Sequence, residues 1–308
     1  MVNKKSISYL RSKRYYYPYP FYVFIIRFIR MFKKIDMCDK LPILLYHSVS
    51  SNTSPEVSDY FNVLPSTFEK QMKWLYDHKY QTLTPEELSA IAEGTFKCPE
   101  KAFVLTFDDG YYNNESIVLP ILQKYNFKAF FFIATSFIGE TTVYPWIKTD
   151  IPVDAKDYGP MNETQLLDLD NAGMLVCSHS HSHKRLIELS GEDSENDIIQ
   201  SLNILNKILN RPVESLAYPY GARHDFTDRH RRCCQDNGCK YVFTTKVSCV
   251  NLGDIDLLAL PRLNVLERDG VKILALKLQG YFDWFEKFRF VSLFPFRIMD
   301  RLLRSYKT

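Results

Sequence analysis

From Leu41 onward the chain alternates short apolar runs with longer amphipathic ones, and no other feature restricts its fold as strongly. The apolar runs are "PILLYHSV", "AFVLTF", "KAFFFIATS", "MLVCS", "SLAYPY", "KYVFTT" and "LLALPRLNV". Between them, "LPSTFEKQMKWLYDHKY", "NESIVLPILQKYN", "NETQLLDLDNAG" and "ENDIIQSLNILNKILN" read as helices. Ser66 or Thr67 is the expected cap of the first, and Gly173 the expected stop of the third. Short apolar strands spaced by helices predict a parallel sheet, either doubly wound or closed as a barrel.

In both architectures functional groups gather where strands finish. Here "LLYH" ends in His47, "VLTF" runs into Asp108 and Asp109, "LVCS" into His179, and "AYPY" into Gly221. Two adjacent acids repel each other unless a cation or a proton relieves them. Neighbouring residues point in different directions, so one can hold a metal while the other faces a substrate; a solvated turn is the plain alternative. "VCSHSHSHKRL" places three histidines on alternate positions. If the chain turns helical after Ser178, His179 and His183 share a face and His181 points away. If it stays extended, all three share a side. The capping capacity of Ser178 and the downstream "LIEL" favour the turn. Two imidazoles, one carboxylate and an open position suit a hydrolytic zinc site, and the same set serves non-haem iron oxygenases.

Charge is unevenly spread. Residues 1–40 hold ten Lys/Arg against Asp36 and Asp39, whereas the other 268 residues carry 29 basic and 34 acidic groups. A mildly acidic body argues against nucleic acid as a partner, and a basic arm suits a membrane surface. The apolar run Phe21–Ile26 is too short for a signal peptide or a bilayer span. A helix beyond Pro20 would instead gather Phe21, Phe24, Ile25, Phe28, Ile29 and Phe32 on one side, either at a membrane interface or docked on the domain. The stretch 281–308 is again aromatic and basic. The expected organisation is therefore a basic amphipathic arm (1–40), a catalytic domain (41–280) and a helical C-terminal segment (281–308). The expected location is cytoplasmic, peripheral on the inner face of the membrane. Seven scattered cysteines offer no disulfide framework. The cluster His230, Cys233, Cys234 and Cys239 lacks a paired CxxC and is a poor zinc site.

The ordered motifs "LTFDDGY", "SHSHSH" read as SHxxxH, and "LAYPYG" resemble those of the polysaccharide deacetylases, carbohydrate esterase family four, with the NodB-homology domain. "LPILLYHSVS", "LPILQKYNFKAFFFIATSFIG" and "LALPRLNV" extend the likeness to roughly residues 41–265. The resemblance implies a deformed (β/α) barrel of parallel strands surrounded by helices. It also implies removal of N-acetyl, sometimes O-acetyl, groups from glycans with a divalent metal, usually zinc. Carried onto this chain, Asp108 would be the general base and Asp109, His179 and His183 the metal ligands. The backbone N–H of Tyr220 would help stabilise the oxyanion, and His181 falls on a variable position.

Two departures matter. The third motif reads "LAYPYG" without the arginine that often steadies the base, so Arg262 in "LPRLNV" is expected in that role. "LPRLNVLERDG" also lacks the histidine that often serves as general acid. The sub-group similar to poly-N-acetylglucosamine deacetylases carries an early "YH", which makes His47 the expected acid. The expected substrate is an N-acetylated glycan or a lipid-linked sugar. Another amide or ester, such as acetylxylan or a cyclic imide, is the alternative, as is a degenerate glycan- or membrane-binding protein. Trp146 and Tyr220 could stack on a sugar ring.

Overall fold

The computed structural model describes residues 39–52, 62–147 and 153–283. Residues 1–38 of the basic arm and 284–308 of the C-terminal segment, with the helices expected in them, lie outside these residues. The central sheet contains β1 (Ile43–Tyr46), β2 (Ala102–Phe107), β3 (Phe130–Ile133), β4 (Leu175–Ser178), β5 (Ser215–Ala217), β6 (Tyr241–Phe243) and β7 (Leu263–Asn264). Their order is β6-β5-β4-β3-β2-β1-β7, every neighbouring pair is parallel, and a short strand Gln81–Thr82 joins beside β2.

Segment 257–265 curls this sheet towards closure. At its start Leu260 N–H donates to Val242 C=O and Thr244 N–H donates back to Leu260 C=O, both at 2.8 Å, along the β6 edge. At its end β7 pairs with β1, and Val265 N–H reaches Leu45 C=O at 2.8 Å. One stretch of chain thus touches both edges, giving a deformed half-barrel whose strands all finish at the same end.

Every residue of β2 is buried, as expected of a strand covered on both faces. Alternate side chains divide between two cores. On the outer face Leu44, Tyr46, Leu105, Phe107, Phe131 and Ile133 pack with α1 (Pro65–Asp77), α3 (Leu119–Tyr125) and α5 (Gly191–Leu209). On the inner face Ile43, Val104, Phe130, Phe132 and Phe243 pack with α2 (Pro85–Ala92). The shell continues with α4 (Glu163–Asn171), α6 (Asp228–Asp236) and α7 (Val271–Leu278).

Helix α4 starts on an Asn162 capping box and is followed by Gly173 in the left-handed region. Helix α1 differs from expectation. Neither Ser66 nor Thr67 caps it; Pro65 occupies its first turn and Leu64 is the cap position. The Glu267 carboxylate serves instead, accepting from Leu64 N–H at 2.7 Å and Thr67 Oγ1–H at 2.8 Å. A distant carboxylate satisfies the orphan donors and suits the positive end of the helix.

Cys98, Cys177, Cys233, Cys234, Cys239 and Cys249 are free thiols. His230 is a structural cap, accepting from Thr227 N–H at 3.1 Å and contacting Ser194 Oγ at 3.0 Å. No helix of the described residues is long and apolar enough to cross a membrane.

Candidate active site

Asp108 still belongs to the ladder, donating its N–H to Tyr46 C=O at 3.0 Å. The chain then leaves the sheet through Asp109 and Gly110, both left-handed with φ of 76° and 82°. A Cβ on Gly110 would lie 2.9 Å from Ile133 Cδ1, so only glycine fits this turn. An aspartate with positive φ is strained and needs its surroundings to hold it. The turn sends the two carboxylates in different directions.

Asp108 meets Arg262, just before β7. The guanidinium forks onto it, with Nη1 to Oδ1 at 2.6 Å and Nη2 to Oδ2 at 2.7 Å. Arg262 Nε–H donates to Thr244 C=O at 2.9 Å, so the fork is itself fixed. The two residues are only 1% and 2% exposed. Burial pushes the Asp108 pKa up, but the charges of Arg262 and His179 and the fork's hydrogen bonds outweigh it and hold the carboxyl below its ordinary value.

Asp109 meets the histidines. His179 Nδ1 contacts Ala217 C=O at 2.8 Å, and a carbonyl can only accept, so Nδ1 carries the proton and Nε2 presents its lone pair. Nε2 lies 3.4 Å from Asp109 Oδ1 and 3.8 Å from Asp108 Oδ2. His183 Nε2 lies 3.1 Å from Asp109 Oδ1. Ligand atoms of Asp109, His179 and His183 all fall within 4.8 Å of one another.

The local route to this arrangement is not the helical turn expected from the spacing. Residues 179–185 form an irregular loop, Ser180 and His183 are left-handed, and "LIEL" makes only a short 3-10 turn, Leu186–Glu188. Tertiary hydrogen bonds impose this path. Asp197 on α5 accepts from the N–H groups of His181 and Ser182 at 3.1 and 3.0 Å. Thr135 N–H donates to Ser180 C=O at 3.2 Å, and Ser136 N–H to His181 C=O at 2.9 Å. His181 is led away, with Nδ1 3.0 Å from Thr135 Oγ1.

The three donors fit a divalent cation. Burial alone would lower the His179 pKa, yet Asp108 and Asp109 raise it, which reports a negative potential at this spot. For Asp109 burial pushes up, while the charge of His183 and the close approach of both imidazoles hold the carboxyl well below its ordinary value. A pocket that concentrates negative potential between two imidazole nitrogens and a carboxylate favours a cation in their midst.

His47 is buried at the end of β1, and Asn114 Nδ2–H donates to its carbonyl at 2.9 Å. Burial lowers its pKa, and the charges of Asp109 and Asp108 only partly restore it. Tyr220 is left-handed and 46% exposed, 5.5 Å ring to ring from His183, with the Arg185 guanidinium 3.9 Å over its ring. Its carbonyl accepts from Thr245 Oγ1–H at 2.6 Å, and among the described residues its N–H has no backbone acceptor. The buried Asp225 pairs with Arg185 and accepts from Ala222 N–H at 2.8 Å, tying the two site loops together.

Three aromatic residues at the site carried little sequence signal. The Tyr144 hydroxyl donates to Asp109 C=O at 2.6 Å. The Tyr111 hydroxyl accepts from Trp146 Nε1–H at 3.1 Å, and burial and then the Asp109 charge push its pKa up. Trp146 packs 4.1 Å from the His183 ring rather than standing clear to receive a sugar. Only the adjacency of Tyr111 to "DDG" hinted at any of these contacts.

Residues 96–242 match the family model described as polysaccharide deacetylase. YxkH of Bacillus subtilis is 31% identical over 194 residues, which is 63% of this chain; the match spans 61% of the relative's own length. A poly-β-1,6-N-acetyl-D-glucosamine N-deacetylase of Staphylococcus epidermidis is 27% identical over 236 residues, 74% of this chain and 75% of its own. Among solved structures, the Streptococcus pyogenes deacetylase PplD in complex with acetate superposes with a TM-score of 0.66. It covers 78% of this chain and 98% of its own at 24% identity, a likeness of fold.

Proposed function

We propose that the chain, similar over residues 96–242 to the polysaccharide deacetylase family model, hydrolyses the N-acetyl group of an N-acetylated sugar with a divalent cation held by Asp109, His179 and His183. The observation that carries this reading is the division of labour between adjacent carboxylates: Asp108 is locked by an arginine fork, while Asp109 faces two imidazole nitrogens. Two nitrogen donors and one oxygen donor suit Zn²⁺ with a position left for water. When bound, such a cation supplies Lewis-acid activation of water and of the acetyl carbonyl.

The chain's own groups do the rest. Asp108, ionised and fixed in direction by Arg262, accepts the proton of the attacking water. The Tyr220 N–H, without a backbone acceptor among the described residues, would donate to the developing oxyanion. His47 is the strand-end imidazole able to protonate the departing amine. Burial holds its pKa below the ordinary value, and the proton it delivers to the amine would be the one that Asp108 takes from the attacking water.

Residues 41–280 form the catalytic domain in this reading. The substrate is a cell-surface glycan or its lipid-linked precursor, and the basic arm 1–40 holds the domain to an anionic cytoplasmic membrane surface. The arm's ten Lys/Arg support that placement. The test is acetate release by zinc-loaded protein from N-acetylhexosamine oligomers, polyprenyl-linked sugars and peptidoglycan. Release from one of them identifies the substrate class, and release from O-acetylated glycans alone would refute the amidase reading.

A further inference from the structure

The three candidate ligands are not held in the same way. A metal-binding histidine ordinarily donates its second ring N–H to an acceptor, which fixes the tautomer and the plane of the ring. His179 follows this rule through Ala217 C=O. His183 does not: its Nδ1 is buried and, among the described residues, has no hydrogen-bond partner. Its backbone is left-handed, with φ of 53°, so the loop alone holds the ring in a strained setting. What lies against the ring is Trp146, with centroids 4.1 Å apart and planes at 30°.

Trp146 is in turn immobilised. It stacks on Tyr144 at 4.4 Å with planes at 14°, and its Nε1–H donates to the Tyr111 hydroxyl at 3.1 Å. Those two tyrosines reach the other side of the site. Tyr111 directly follows Gly110 in the chain, and Tyr144 donates to Asp109 C=O at 2.6 Å and to Gly110 C=O at 3.3 Å. Tyr111, Tyr144 and Tyr158 form a small buried cluster of their own, separate from both sheet cores. One aromatic bracket thus touches the His183 ring and the strained turn that aims Asp109.

We infer that Trp146 is a positioning residue for His183, replacing by ring packing the hydrogen bond that His183 lacks, and that with Tyr144 and Tyr111 it sets the affinity of the site for its cation. The inference rests on the proposed metal centre but not on any particular substrate. Packing restrains a ring less directionally than a hydrogen bond, so the affinity should respond to the size and shape of residue 146. Tyr144 acts differently, through one hydroxyl that braces the Asp109–Gly110 peptides.

The test measures Zn²⁺ affinity by chelator competition on the full chain, without substrate. Trp146→Ala should weaken binding by about 10–100-fold, the usual consequence of losing a partner that orients a ligand. Trp146→Phe, which keeps a ring but not the N–H, should fall between it and the wild type. Tyr144→Phe should also weaken binding, while Tyr158→Phe, whose hydroxyl bonds to Asn52 C=O away from the site, should bind normally. Co²⁺ should quench a tryptophan emission component that Trp146→Phe lacks. Trp146→Ala and Trp146→Phe both binding Zn²⁺ as wild type would overturn the inference. So would equal weakening by Tyr158→Phe, which would indicate general loosening. Wild-type protein that binds zinc but releases no acetate would refute the proposed activity and leave this inference standing, whereas wild-type protein that binds no cation would refute both.

Discussion

Replacing Arg262 by methionine would leave Asp108 buried without its fork. The variant loses two charge-assisted hydrogen bonds to the carboxylate and one from Nε to Thr244 C=O. Both partners are almost wholly buried, so water cannot take over the guanidinium's role. Breaking a buried ion pair by removing one partner costs about 3–5 kcal/mol. At about 2–4 °C per kcal/mol for a domain of this size, Tm should fall by roughly 6–20 °C. The pH dependence gives the sharper signature. In the wild type the folded pKa of Asp108 lies below its unfolded value, so its contribution is present at neutral pH and is lost as pH falls through the folded pKa. In Arg262→Met the lowering by the guanidinium is gone while the burial that raises the pKa remains, so the folded pKa moves up from its wild-type position. The folded variant then binds more protons than the folded wild type, so its stability deficit shrinks as pH is lowered. Adding Asp108→Asn should recover most of the loss, because no buried charge is left. Urea unfolding of metal-free protein between about pH 5 and pH 8, inside the usual range of maximal stability, reads all of this. A loss below about 1 kcal/mol, the scale of an exposed ion pair, would refute the argument, as would a deficit that does not shrink towards acid pH.

Four other outcomes are expected. Asp109→Ala, His179→Ala and His183→Ala each lose tightly bound metal by elemental analysis while His181→Ala keeps it; loss in His181→Ala would mean the wrong pair of histidines. Asp108→Asn retains metal but loses about 10²–10⁴-fold in turnover, and near-normal activity would move the base elsewhere. His47→Ala lowers kcat on amide substrates by about 10²-fold with metal retained and costs less on an activated aryl ester; equal losses on both would point to binding or folding instead. Deleting residues 1–36 releases the protein from anionic vesicles with metal intact, and a full-length protein that ignores such vesicles would contradict the membrane role of the arm.

The alternation from Leu41 was enough to read a parallel sheet, because strands covered on both faces need continuous apolar runs. It could not distinguish an open sheet from a curled one. That depends on segment 257–265 bonding to β6 and then to β1, a pairing between residues far apart in sequence. Strand-end placement likewise brought His47, Asp108, Asp109 and His179 into view before any geometry was known. The i,i+4 spacing of His179 and His183 suggested a helix, and the loop instead follows Asp197, Thr135 and Ser136. The cap of α1 was missed for the same reason, since Glu267 lies some 200 residues from Leu64. Tyr144 and Trp146 sit where no hydrophobic period marks a buried residue, and their partners, Asp109 and His183, belong to other strand ends.

The central claim is that one cation-dependent centre, built from Asp109, His179 and His183 beside Asp108, removes acetyl groups from an amide of a sugar. The most direct measurement follows acetate and free amine together from an N-acetylhexosamine oligomer, with chelated protein and then with protein reloaded with one equivalent of Zn²⁺. The account predicts equal amounts of acetate and amine after reloading and neither after chelation. Undiminished release by the chelated, metal-free protein, or acetate without amine, would contradict it.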